Sequence, residues 1–193
     1  MLVWSGLFDL TAPLGSGKTT MLSLLTGDHP QSYTQRAPSS LTLFERPRSK
    51  WATVQLRKEI GIAGMDVLNA WPRGRKMSVR DVIGTGFDGG FVPMGRMKVG
   101  SDLDTTEEQY RVKRVWEVLN DWWRHSRQES QVREFSQKIF AELPVGEQAV
   151  VILLRAVVGK PKLVLLDEAW SGMDRGTVSA VHEYLRSGVW VYG

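Results

Sequence analysis

Cysteine is absent from this chain of 193 residues. That excludes a disulfide framework and any metal held by thiolates. Histidine is scarce: His29, His125 and His182 lie far apart in sequence, which speaks against a histidine-rich metal site. Long apolar runs are missing as well. A helix that spans a bilayer needs about 20 apolar residues. The best candidates, residues 150–158 and 163–166, are interrupted by Arg155 and by the stretch Gly159-Lys160-Pro161-Lys162. The first ten residues carry neither a basic lead nor a small-residue cleavage site. A large charge of one sign is also lacking. Against 21 Asp and Glu stand 25 Lys and Arg, a net +4 spread along the chain, too little for the electrostatic footprint of a nucleic-acid binder. The basic stretches 46–57 and 73–80 read as solvated loops. These absences predict a soluble, intracellular protein, cytoplasmic unless an organelle holds it. Nucleic acid is not an expected partner, and a membrane partner is left open.

What is present fits one domain with a core of its own, since a chain of this length can remove roughly 70% of its unfolded surface from water. Residues 1–27 read as a strand, a Gly-rich turn and a helix. Residues 28–104 are rich in Gly, Pro, Ser and Arg, with strand-like pieces at 40–44 and 59–63. Residues 105–193 read as mostly helical around one apolar strand at 163–166. The spacing of Tyr110, Val112, Val115, Trp116, Val118, Leu119, Trp122 and Trp123 predicts a helix over 105–125, opened by Thr105 as N-cap and the acidic Glu107 and Glu108. Eight tryptophans are many for this length. The pair Trp122-Trp123 suits either an aromatic platform or core packing, and core packing is the expectation.

The most informative segment is Ala12-Pro13-Leu14-Gly15-Ser16-Gly17-Lys18-Thr19-Thr20. It follows an apolar stretch (Leu7, Phe8, Leu10) and precedes the apolar helical run 21–25, which ends at Gly27. That is the strand, loop and helix setting of a phosphate-binding loop. Gly15 and Gly17 let backbone N–H groups turn inward onto a phosphate, beside the positive end of the helix. Lys18 is placed to reach the β- and γ-phosphates, and the Thr19 hydroxyl to ligate Mg²⁺. Ser16 and Thr20 complete the cradle. Ala12 stands where the G-x-x-x-x-G-K-[ST] pattern has its first glycine, which alanine can replace if φ is negative there. The competing reading is a Gly/Ser turn before a helix that happens to carry lysine.

A second segment, Lys162-Leu163-Val164-Leu165-Leu166-Asp167-Glu168, runs four aliphatics into two carboxylates. Such a run suits a central parallel strand buried on both faces, and in open α/β sheets ligand chemistry sits at strand C-termini. Asp167 is then the expected Mg²⁺ holder, and Glu168 the expected base that orients or deprotonates an attacking water. Gly172-Met173-Asp174 reads as a turn before a helix over about 175–185, ended by Ser187-Gly188, with another strand beginning at 189–192.

The order of these motifs, with Leu143-Pro144-Val145-Gly146-Glu147-Gln148 between them and Ser171-Gly172-Met173-Asp174 after them, resembles the motif set of ABC ATPases. From Gly146 to Asp167 are 21 residues, room for a signature helix over 147–158 that leads through Pro161 into the strand. Residues 24–33 (Leu24-Leu25-Thr26-Gly27-Asp28-His29-Pro30-Gln31-Ser32-Tyr33) and 79–87 look like the ModF-type, or photorepair-type, soluble subfamily, whose members usually carry two cassettes in one chain. The resemblance covers roughly residues 10–185. It implies an α/β P-loop NTPase fold: a mainly parallel central sheet flanked by helices, with a helical signature subdomain at about 100–145. As one domain over 1–193, the core would take 1–99 and 149–193, and the helical part about 100–148. It implies ATP and Mg²⁺ as ligands and a second cassette as partner, in a homodimer or as a tandem neighbour. The pair would form head to tail, with Gly146 and Glu147 facing the γ-phosphate held by the other phosphate loop and Asp174 coupling the two sites.

Four departures from the family pattern bear on turnover. Pro144 stands in place of the signature serine, which removes a hydroxyl while suiting a helix start. The usual glutamine after Ile60-Gly61-Ile62-Ala63-Gly64 is replaced by Met65-Asp66. The switch histidine is absent; His182 comes too early and reads as a surface residue. Only eleven residues precede Ala12, so the strands and adenine-stacking aromatic expected upstream are missing, and Trp4 reads as core packing. The length thus fits a cassette trimmed at both ends. The expected activity is Mg-dependent ATP hydrolysis, to ADP and phosphate, if a second cassette complements this one. The alternative is a hydrolysis-deficient ATP-binding interaction module or remnant.

Overall fold

The computed structural model describes residues 17–34, 41–72, 74, 76–89, 99–100, 105–126 and 131–188. The chain forms two compact units, Met1–Arg57 and Lys58–Gly193. Trp4, the expected strand ahead of the phosphate loop, Ala12, Gly15, Ser16 and the expected strand at 189–192 lie outside the described residues.

In the first unit, helix α1 (Lys18–Thr26) starts on Gly17 at φ 85° and stops on Gly27, also at φ 85°. Both positions need the left-handed backbone that glycine adopts without a Cβ clash. The stop is reinforced locally. The amides of Gly27, Asp28 and His29 all donate to the Ser23 carbonyl, at 3.0, 2.9 and 3.2 Å, and the Thr26 hydroxyl donates to Asp28 Oδ2 at 2.6 Å. A short helix α2 (Gln31–Thr34) follows. Strands β1 (Thr42–Leu43) and β2 (Arg46–Pro47) then pair antiparallel. Phe44 and Glu45 form their two-residue loop with φ of 51° and 64°, the backbone that matches the twist of a tight hairpin. Arg48, only 1% exposed, lays its guanidinium on the Tyr33 ring at 4.9 Å and donates to the Tyr33 hydroxyl and the Trp51 carbonyl. The stretch 24–33 is therefore a helix stop and the dock for a buried arginine. Helix α3 (Thr53–Glu59) crosses the boundary between the units.

The second unit is built on two parallel strands, β3 (Ile60–Gly64) and β4 (Leu163–Asp167), in register from Ile60 opposite Leu163 to Gly64 opposite Asp167. Between them the chain runs through α4 (Met65–Asn69), α5 (Val79–Gly84), α6 (Thr106–Ser126), α7 (Val132–Gln137) and α8 (Val145–Val158), and α9 (Arg175–Ser187) follows β4. Helix α8 is the central rod: every residue from 149 to 158 is buried. It packs on β3 and α5, while α6 packs on α9. Arg155 is carried inside this core. Its Nε donates to the buried Thr85 hydroxyl at 2.8 Å and its guanidinium lies 5.5 Å from the Trp71 ring centre. Burial lowers its pKa to about 10, partly offset by Asp88.

Helix α6 begins as expected, with the Thr105 hydroxyl accepting from the Glu108 amide at 3.2 Å. Trp122 and Trp123 are core residues, each 5% exposed, against Tyr184 and Phe135 respectively. The signature helix starts at Val145 rather than 147, because Pro144 takes the cap position and the amide of Gln148 already donates to its carbonyl at 2.9 Å. Three expectations need correction. Strand β4 is not buried on both faces; all five of its residues are partly exposed, since β3 is its ladder partner among the described residues. The stretch 28–104 is more helical than its Gly and Pro content predicts. Helix α5 supplies the fully buried Val79, Val82 and Ile83, started by Ser78 accepting from the Asp81 amide. His182 is not a surface residue; it is partly buried with its ring edge-on to Trp170 at 4.9 Å.

Candidate functional site

The residues singled out from sequence fall in both units, and each half has its own local architecture. In the first unit, Gly17 precedes α1, and among the described residues no heavy atom lies within 4 Å of where a Cβ would point. Lys18 is the first helical residue, followed by the exposed Thr19 and Thr20. Among the described residues no side-chain cap bond is made at this helix end. The amides of its first turn have no i−4 carbonyl to bond within the helix, and the helix dipole places partial positive charge there. The Ser23 hydroxyl donates to the Thr19 carbonyl at 2.9 Å, one turn below. The helix thus starts on a left-handed glycine followed at once by a cation and two hydroxyls.

In the second unit the parallel register carries Asp167 to the carboxyl end of β4, opposite Gly64. Glu168 follows, exposed and at φ 51°. A glutamate in the left-handed region carries a cost of roughly 1–2 kcal/mol, and residues held this way cluster at functional positions. Beyond it the chain turns twice. The Ser171 amide donates to the Glu168 carbonyl at 3.2 Å, and the Met173 amide to the Trp170 carbonyl at 3.1 Å.

This loop ends against the signature segment. Gly146 lies in the first turn of α8, so near the Gly172 carbonyl that a Cβ on it would sit 2.5 Å from that oxygen. Gly172 in turn has φ 79°, and a Cβ there would sit 2.8 Å from a Val145 methyl. Glycine is thus required on both sides, once for contact and once for backbone sign as well. Glu147 is exposed in the same first turn, where its negative charge suits the helix dipole. The Gln148 amide group turns away from that face and donates to the Leu143 carbonyl at 2.9 Å, which holds the entry to α8 in shape. A groove of about 520 Å³ opens beside this contact, lined by Trp122, Trp123, Pro144, Glu147, Met173 and Asp174 among others.

Asp174 caps α9. Its Oδ1 accepts from the amides of Gly176 and Thr177, and its Oδ2 from the Thr177 hydroxyl. The Thr177 amide and hydroxyl, with a further bond from Gly176, hold the carboxyl below the usual carboxylate range. The spacing Asp174-Arg175-Gly176-Thr177 ahead of an amphipathic run is a helix-start signal. The contact of Gly146 on Gly172, by contrast, has no local signal.

Oxygen donors suited to Mg²⁺ occur in each unit taken by itself, the Thr19 hydroxyl in the first and the Asp167 carboxylate in the second. Both are hard oxygens, and no cluster of three or more His, Cys, Asp or Glu gathers among the described residues. That composition fits Mg²⁺, which takes one or two protein oxygens and fills its octahedron with phosphate oxygens and water. It does not suit an all-protein cage.

Three comparisons with known proteins bear on this arrangement. The sequence profile of the family described as ABC transporter matches residues 8–171. The ABC transporter ATP-binding protein ModF of Escherichia coli is 30% identical over 168 residues, covering 86% of this chain and 30% of ModF. An uncharacterized ABC transporter ATP-binding protein of Saccharomyces cerevisiae, YDR061W, is 26% identical over 177 residues, covering 89% of this chain and 30% of that protein. The chain therefore spans about 30% of the length of these two relatives. Among solved structures, the dimeric post-hydrolysis state of the ATP-binding cassette MJ0796 bound to ADP and Pi superposes with a TM-score of 0.60. It is 20% identical and the match covers 92% of this chain and 66% of that one. That likeness concerns the fold, an α/β P-loop cassette.

Proposed function

The chain belongs to the ABC transporter family, and from that membership we propose that it is an ATP-binding cassette that binds MgATP and hydrolyses it within a head-to-tail pair of cassettes. The observation that carries this reading is the loop 168–174. It leaves the carboxyl end of a parallel strand directly after two neighbouring acids and packs its Gly172 carbonyl on the signature residue Gly146.

In this reading the phosphates of ATP lie on the backbone of Ala12, Gly15, Ser16 and Gly17, with Lys18 and Thr20 completing the cradle. Thr19 and Asp167 hold the metal. A Mg²⁺ held there would supply charge neutralisation to the phosphates. Glu168 orients the attacking water and takes its proton as the water oxygen bonds to the γ-phosphorus. The bond to the β–γ bridging oxygen breaks, ADP leaves, and the proton returns to solvent with phosphate. Gly146 and Glu147 lie at the first turn of α8, whose amides have no i−4 partner within the helix. They would face the nucleotide held by the other cassette, adding donors that act on developing charge. Pro144 contributes no hydroxyl there, so those amides act alone. In domain terms, residues 1–99 and 149–193 would make the nucleotide-binding core and 100–148 the helical part. The partner is a second cassette, another copy or a tandem neighbour. Among the described residues no helix is long and apolar enough to cross a membrane, so any passage through a bilayer would have to be supplied by another segment or subunit.

The test is phosphate release from MgATP with Glu168→Gln as control. Turnover in that variant is expected to fall about 10²–10⁴-fold, the usual worth of a positioned general base, with ATP affinity kept. Equal turnover in Glu168→Gln and wild type, or ATP binding by wild type with no phosphate released, would overturn the reading.

A further inference from the structure

Arg48 carries a guanidinium that is almost wholly buried, and among the described residues no carboxylate pairs with it. Asp28, just past the end of α1, is engaged elsewhere: its Oδ1 accepts from Arg57 at 3.0 Å and its Oδ2 from the Thr26 hydroxyl at 2.6 Å. A buried cation without a counter-ion is costly, so its surroundings must supply negative potential in another form. Two sources are present. One is the face of the Tyr33 ring, 4.9 Å from the guanidinium carbon. The other is the carboxyl end of α1, where the helix dipole is negative. Gly27 caps that end, and a Cβ on it would overlap Arg48 Nη2.

The Tyr33 hydroxyl completes the seat. It donates to the Gly27 carbonyl at 3.0 Å, accepts from Arg48 Nη2 at 3.3 Å, and lies 2.9 Å from the hydroxyl of Thr53, the first residue of α3. Arg48 Nη1 donates to the Trp51 carbonyl at 3.3 Å, and the Arg48 amide to the Leu41 carbonyl at 2.7 Å. One side chain thus joins the end of α1 to the segment after the hairpin. The helix has need of it. An isolated helix this short is marginal in water, and Thr26 alone among its nine residues is buried.

We propose that Arg48 is a positioning residue for the phosphate-loop helix: seated on the carboxyl end of α1, it fixes from behind the helix whose amino end carries Lys18 and Thr19. Roughly 13 Å of helix separates the two ends at 1.5 Å per residue, so Arg48 acts on a nucleotide only through α1. The proposal rests on the cassette reading for its consequence in ATP affinity, but not for the hold of Arg48 on α1.

The test uses the full chain with Arg48→Met, Arg48→Lys and Tyr33→Phe. Methionine keeps an apolar stem and removes the charge, lysine keeps the charge without the planar fork, and phenylalanine keeps the ring without the hydroxyl. Amide hydrogen exchange at residues 24–27 is expected to speed up about fivefold or more in Arg48→Met and about threefold in Tyr33→Phe, the scale of a lost cation at a helix carboxyl end. Arg48→Lys should fall between wild type and Arg48→Met. The Kd for MgATP should rise about three- to tenfold in Arg48→Met, while kcat at saturating ATP stays within about twofold. A chain that is merely destabilised behaves otherwise: it loses active fraction, and so kcat, while the folded remainder keeps its Kd. Two results would overturn the proposal. One is exchange at 24–27 that matches wild type in Arg48→Met and Tyr33→Phe. The other is faster exchange there with an unchanged Kd for MgATP, which would leave Arg48 without influence on the phosphate loop. If Arg48→Met fails to fold, Tyr33→Phe carries both measurements, since that residue is 46% exposed. A wild-type chain that binds no MgATP would defeat the cassette reading, and the exchange series would still decide whether Arg48 holds α1.

Discussion

Helices α1 and α8 can be set side by side. Each has a glycine at its start, Gly17 just before α1 and Gly146 in the first turn of α8, and among the described residues neither start has a side-chain cap bond; in the proposed reading each faces an anionic phosphate. Their bodies differ. In α1 only Thr26 is buried among nine residues, and Met21 is 47% exposed. In α8 ten consecutive residues are buried, among them Leu153 and Leu154 at 0% exposure. One helix end is thus the tip of a core rod, and the other stands on a lightly packed helix. The difference teaches that an anion site needs only the helix end. What lies behind that end decides how costly it is to move. The signature end is tied to the core through the buried body of α8, and through the loop 168–174 to β4 and α9.

The comparison can be broken or sharpened by paired changes. The largest expected effect is on stability. Leu153→Ala should destabilise the second unit by about 2–5 kcal/mol, as for a fully buried leucine that leaves a cavity. Leu22→Ala on the half-buried face of α1 should cost well under that, about 1 kcal/mol. Urea melts of the two variants measure the contrast, and equal losses would erase it. Next in size is ligand affinity. Lys18→Ala should weaken MgATP binding by about 1.5–3 kcal/mol, the worth of hydrogen bonds to a charged group, with the melt hardly altered. Titration with a fluorescent ATP analogue reads this directly, and wild-type affinity in Lys18→Ala would remove α1 from the site. The smallest effect is on pH. The Asp174 carboxyl is held below its ordinary value by Thr177 and Gly176. A depressed carboxylate contributes stability that is complete above its unfolded pKa of about 3.9 and is lost as pH falls through the folded value. Acid should therefore loosen the first turn of α9 below about pH 4 in wild type. Exchange at that turn should show no such step in Asp174→Ser, which has no carboxyl to protonate.

Much of this was legible locally. The start of α6 at Thr105, the stop of α1 at Gly27 and that of α9 at Gly188 each follow from one or two residues whose backbone or side-chain chemistry acts within a single turn. The acidic pair was equally plain, because four aliphatics running into Asp167-Glu168 is itself the pattern of a strand leaving a core. Other features were hidden. The Ser78 start of α5 is a helix signal buried among Gly, Pro and Arg, and composition of the surrounding stretch masked it. His182 looked like a surface residue because its partner, Trp170, is twelve positions away across a turn. Arg155 looked like a break in an apolar run. Inside the core it is held by Thr85, 70 residues earlier in sequence.

What the sequence determined by itself is the chemistry on offer and its order along the chain: Lys18 and Thr19 after a glycine loop, Gly146 at a helix start, Asp167 and Glu168 at a strand end, Asp174 before α9. Those choices depend on residue type and short-range backbone preference, and both act over a few residues. Only the tertiary structure decided that Gly172 rests on Gly146, that Asp174 faces its own helix, and that Glu168 is held left-handed at the loop's start. Each of these is a close contact or a backbone sign imposed by segments distant in sequence. A close-packed interior resolves such contacts by fit, and sequence spacing carries no record of them.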